Sequence, residues 1–148
     1  MKPDVTAVLA DLTGRLAMEI APKVQPAFLA GSLSLIAGVL SAVAEEFDRA
    51  ADRRAEENAA IRGIFAAAAG LDLPQTLAGR LAALAATADT SLRVSALEAA
   101  NAELRAALIE LHAAVEVSDD PRAKALNEAV WKELAASTER RRLSGGNF

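Results

Sequence analysis

The chain has 148 residues and a formal net charge of −4, with 53% hydrophobic residues, 3% aromatics and no cysteine. The length suits one ordinary domain. The acidic balance argues against a general nucleic-acid binder, which needs cations to displace condensed counterions, and the lack of thiols excludes disulfides and thiolate metal sites.

The apolar content is mostly Ala and Leu, not the β-branched and aromatic residues that strands favour, so the chain is predicted to be all-α. The N-terminus reads Met1-Lys2-Pro3-Asp4, with Asp11 soon after. It lacks the apolar run of a secretory signal, and with no cysteine this sets the expectation of a reducing, cytoplasmic setting.

Val5, Val8, Leu9, Leu12, Leu16 and Ile20 carry helical spacing, which predicts a first helix from Asp4 to Ile20. Gly14 weakens it by about 1 kcal/mol relative to Ala. Pro22 and Pro26 bracket a break, and Pro26 suits the first turn of a new helix. That second helix is predicted to run uninterrupted from Pro26 to Ala69, with Gly70 as its stop. At roughly 65 Å it exceeds a compact domain of this size, so part of it must project, kink or meet another chain.

Along the second helix, Leu29, Leu33, Ile36, Leu40, Val43 and Phe47 form one apolar lane. In phase, the lane continues through Ala50, Arg54 and Glu57 before turning apolar again at Ile61, Ile64 and Ala68. A neighbouring lane of small residues includes Gly31, Ser34 and Gly38, and two backbones can approach closely along such a face. The uncharged run from Val24 to Ala44 is long enough to span a bilayer. Gln25, Pro26 and the small residues dilute it, and neither Trp nor Tyr flanks it. The expectation is a buried central helix, with membrane association as the alternative.

The polar middle of this helix contains Arg49, Arg53, Arg54 and Glu57. Glu45–Arg49 and Arg53–Glu57 are four apart and can pair along the helix. The stretch reads as a solvated face, or as a cluster that holds an anionic group or fixes the pairing of two chains. No Glu-x-x-His occurs, so neither a carboxylate-bridged metal nor another cofactor is expected.

Asp72 is a plausible N-cap for a third helix bearing Leu77, Leu81 and Leu84 and ending near Thr87. Asp89, Thr90 or Ser91 then caps a fourth helix that runs to Val117. Its stripe of Val94, Leu97, Asn101, Leu104, Leu108, Leu111 and Val115 alternates gaps of three and four, as a helix–helix seam does. Asn101 needs a hydrogen-bond partner, supplied by its own copy in a dimer or by a neighbouring helix of one bundle. Ser118-Asp119-Asp120-Pro121 starts a fifth helix, with Leu126, Val130 and Leu134 inward and Arg140-Arg141-Arg142 at its end. His112 and Trp131 are the sole residues of their types; a surface or hydrogen-bonded role is expected for His112 and core or interface packing for Trp131.

The expected protein is therefore a helical bundle of about five helices over residues 1–143, with one long central helix and a loose tail at 144–148. Its expected interface residues are the fourth-helix stripe together with Gly31, Ser34 and Gly38. No catalytic constellation is legible. The expected function is that of a non-enzymatic, homodimeric interaction or scaffold protein, in the manner of an accessory or regulatory partner of an enzyme. The alternatives are a binding module for an acyl or anionic metabolite, with an arginine at the mouth of an apolar slot, and a membrane-associated helical protein.

Overall fold

A computed structural model of the chain describes residues 4–144; the first three residues and positions 145–148 of the expected tail lie outside them. Five α-helices follow one another: α1 (Val5–Gly14), α2 (Ala27–Ala67), α3 (Gln75–Ala85), α4 (Val94–Glu116) and α5 (Pro121–Arg140), with no strand among the described residues. Where the sequence suggests one bundle, contacts group these residues into two compact units, 4–50 with 143–144, and 51–142. The boundary falls inside α2.

In the first unit, the Asp4 carboxylate caps α1 by accepting from the Thr6 amide at 3.0 Å. The regular helix stops at Gly14, short of the expected Ile20. Arg15–Ile20 continues as a wider π-helical turn, and Ala21–Lys23 as a 3₁₀ turn. Pro22 has no N–H for a regular bond back to Met18, so the α pattern cannot be carried through it. At the other end of the unit, the Ser144 amide and hydroxyl both donate to Glu45, at 3.0 and 2.6 Å. These bonds hold the Glu45 carboxyl below its ordinary range.

The second unit is a four-helix bundle of α2 from residue 51 onward, α3, α4 and α5. Its core gathers Ile61, Ile64 and Phe65 of α2, Leu77, Leu81 and Leu84 of α3, Leu104, Leu108, Leu111 and Val115 of α4, and Leu126 and Val130 of α5. Each such side chain contributes about 1.5–3 kcal/mol relative to an exposed one. Gly70, at φ 77°, makes the left-handed turn that ends α2, a conformation that suits glycine. Pro74, not Asp72, occupies the N-cap of α3. Asp120 caps α5 as expected, accepting from the Arg122 amide at 2.8 Å. The start of α4 is delayed to Val94, because Asp89 is engaged elsewhere and Arg93 stands at the cap without a side-chain bond.

The α4 stripe corrects the expected interface. Leu97, Asn101, Leu104, Leu108, Leu111 and Val115 are each at most 4% exposed, and Val94 alone lies open. Their partners are the other helices of the same unit, so apart from Val94 these side chains are already covered within one chain. The expectation of a buried 24–44 run is also overturned within one chain: between Ala27 and Phe47, Ala37 alone is buried.

Candidate functional site

The first unit carries a run of exposed large apolar residues on α2. Phe28, Leu29, Leu35, Ile36, Val39, Val43 and Phe47 are all 45–79% exposed. At 3.6 residues per turn they fall within about 120° of arc on one side of α2. A contiguous apolar face of this kind marks a surface that something covers, whereas scattered exposed leucines do not. Beside it run the expected small residues. Gly31 and Ser34 are exposed and Gly38 is half-buried, and a Cβ at Gly31 would meet nothing within 4 Å. The hydroxyls of Ser32 and Ser34 donate to the Phe28 and Ala30 carbonyls, each at 3.1 Å. Those hydroxyls already have partners, so this side of the helix can be buried without orphaning them.

The polar middle of α2 divides between the units. Arg49 pairs with Glu45 one turn back, as the spacing predicts. In the second unit, Arg54 reaches Glu98 of α4 at 2.5 Å, and the buried Arg53 donates to the Arg140 carbonyl at 3.4 Å. Glu57, 3% exposed, accepts from Arg105 of α4 at 2.5 Å and from Arg141 at 2.7 Å. Burial pushes its carboxyl up, but the two guanidinium bonds outweigh burial and leave it below the ordinary value. Arg105 and Arg141 read from sequence only as a seam edge and a helix terminus; their shared partner Glu57 lies 48 and 84 positions away in sequence and carries no local signal. These groups clamp helices to one another, so the cluster reads as structural and not as an anion site.

Two more carboxylates extend the network. Asp89 is held low by its hydrogen bond from Arg62 at 2.7 Å. Glu133 is pushed the other way by burial, only partly offset by Arg140. The chain-stabilising share of Glu57 and Asp89 is present above their ordinary values of 4.5 and 3.8, and is lost as pH falls through the lowered folded values. Glu133 acts oppositely: its share is present below 4.5 and is lost as pH rises through its raised value. Thermal melts should therefore show Glu133→Gln raising Tm near neutral pH with no gain near about pH 4, and Glu57→Gln lowering Tm near neutral pH with a shallower acid limb. A pH-independent effect of either variant would contradict these assignments.

The second unit also holds a cavity of about 250 Å³ between the end of α2, the following turn and α3. Phe65, Leu71, Leu73 and Leu81 form its large walls, and alanines such as Ala78 and Ala82 leave the space. The arginines expected at the mouth of an apolar slot, Arg49, Arg53 and Arg54, do not line it. Elsewhere in the unit, the His112 and Trp131 rings meet edge-to-face at 5.0 Å, a pairing of α4 with α5 that the sequence does not reveal. Among the described residues, no three His, Cys, Asp or Glu side chains converge as metal ligands.

Compared with known protein families, curated proteins and solved structures, the chain matches none.

Proposed function

We propose that the chain is a non-catalytic helical interaction protein that works as a homodimer, joined through the exposed apolar face of α2 in the first unit. The carrying observation is that face: seven large apolar residues on one side of one helix, from Phe28 to Phe47. A second copy is the occupant that supplies an equal apolar face in the same act, since a twofold contact covers both copies at once. The adjacent Gly31–Ser34–Gly38 lane lets two such helices approach closely. The joint draws on first-unit residues, and the charged network of the second unit is internally paired. The non-catalytic reading rests on that pairing: Glu57 is taken up by Arg105 and Arg141, and Asn58 by Asn101.

A membrane is the second reading, favoured by the length and apolar character of the same helix. The dimer is preferred because the large apolar residues occupy one arc, not the whole circumference, and because α2 continues unbroken into Glu45, Glu46, Asp48 and Arg49. Sedimentation velocity in detergent-free buffer decides between them. A stable dimer at micromolar concentration that does not float with phosphatidylcholine–phosphatidylglycerol vesicles is expected. A monodisperse monomer, or protein that is soluble only in detergent and floats with vesicles, would overturn the proposal.

A further inference from the structure

We propose that the cavity between α2 and α3 is a binding site for a medium-chain alkyl carboxylate, with the hydrocarbon among Phe65, Leu73 and Leu81 and the carboxylate on Arg122. The inference is independent of the dimer, because the site lies wholly in the second unit.

Two observations converge. The lining consists only of Ala, Gly, Leu and Phe, and the cavity, open to solvent on one side where Ala66, Ala69, Gly70 and Ala82 are exposed, measures about 250 Å³. An apolar cavity of about 150 Å³ holds one benzene, so this one suits a hydrocarbon group of roughly six to ten carbons. Burial of each methylene is favourable, and no polar side chain of the lining must be desolvated to admit one.

The second observation is a cation beside the lining. Arg122, at the start of α5, donates to the Ala69 carbonyl at 2.8 Å and to the Gly70 carbonyl at 3.3 Å. Ala69 and Gly70 are themselves lining residues. A Cβ built on Gly70 would sit 3.7 Å from Arg122 Nη1 and 3.8 Å from Nη2, so the guanidinium stands directly against that part of the wall. These two bonds use two of the five guanidinium N–H donors. They fix the side chain at the rim, outside the lining itself, with one N–H of each Nη taken up by a carbonyl; a carboxylate would be met by the N–H groups that remain, Nε–H among them. A neutral hydrocarbon would use the cavity alone; an alkyl carboxylate uses both features.

Octanoate is the probe, with 1-octanol and butyrate as controls. Isothermal titration calorimetry on the full chain should give saturable octanoate binding, and amide NMR shifts should centre on Leu71, Leu73 and Ala78. Butyrate, too short to fill the space, should not bind. Arg122→Ala should weaken octanoate by about tenfold while leaving 1-octanol unchanged. Ala78→Phe, which fills the cavity, should abolish both; Ala82→Met serves if Ala78→Phe lowers the melting temperature. Absence of saturable octanoate binding would overturn the proposal. So would binding that survives cavity filling, which would locate octanoate on the exposed face of α2. Equal loss of octanol and octanoate in Arg122→Ala would overturn the carboxylate assignment.

Discussion

Val39→Asp is expected to turn the proposed dimer into a monomer. Val39 is 58% exposed and lies near the middle of the apolar arc, between Leu35 and Val43 on the same side of α2. In a twofold joint each substitution enters twice, so two carboxylates would be desolvated within one apolar contact. A cost of about 3 kcal/mol or more follows, raising the dissociation constant by more than about a hundredfold. Sedimentation velocity across a concentration series reads this directly. The second unit should not notice the change, because its core from Ile61 to Val130 contains no residue of this face. Its cooperative melt, followed by circular dichroism, should therefore be retained. A Val39→Asp variant that remains dimeric would move the joint to another surface; the exposed Ile109 and Trp131 of the second unit would then be the next to change.

Much of the fold was legible because it depends on local rules. The three-and-four spacing of Leu77, Leu81 and Leu84, and of Leu97, Asn101, Leu104, Leu108 and Leu111, specifies which side of α3 and α4 turns inward, and those sides are buried. Asp120 followed by Pro121 marks a helix start by a mechanism confined to four residues. What failed depends on contacts distant in sequence. Asp72 and Asp89 are equally good caps on paper, yet Pro74 stands at one N-cap and Arg62 draws Asp89 away from the other. The π turn at Arg15–Ile20 reflects a conflict between helix continuation and Pro22, and a periodicity count does not register it.

The candidate site was legible in a different sense. Spacing located the apolar lane of α2 and its small-residue neighbour, but spacing is the same whether a face is covered or open. The same ambiguity left the reading of α4 open: a seam bearing one Asn looks alike whether its partner is a second chain or a neighbouring helix. Asn58 decides it. Thirty-nine positions upstream of the Leu97 carbonyl that it reaches, it has no sequence feature to mark it as the partner of Asn101. The cavity was invisible for a related reason, since alanines that leave space and alanines that allow close packing have one composition.

Asn101→Val tests this assignment with opposite expected signs. In a seam between chains, replacing a lone polar residue by Val raises stability and loosens the choice of partner. Here Asn101 Nδ2 donates to Asn58 Oδ1 at 2.9 Å, and Asn58 in turn donates to the Leu97 carbonyl at 3.3 Å and to Asp89 at 3.2 Å. Asp89 also holds Arg62, whose Nε donates to the Thr87 hydroxyl at 3.0 Å, so the chain of bonds ties α2 to α4 and to the α3–α4 connection. Neither Asn exceeds 2% exposure, and water cannot replace a lost partner without rearrangement. Val at 101 leaves Asn58 Oδ1 buried and unpaired, at a cost of about 1–3 kcal/mol. For a chain of this size that lowers Tm by roughly 3–10 °C. Asn58→Leu should cost more, because it removes the partner of Asn101 and two further bonds together. The double variant should cost less than the sum, since each single change already orphans the other residue. A Tm increase in Asn101→Val, or strict additivity of the two changes, would show that these amides do not face one another and that the α4 seam belongs to a different pairing.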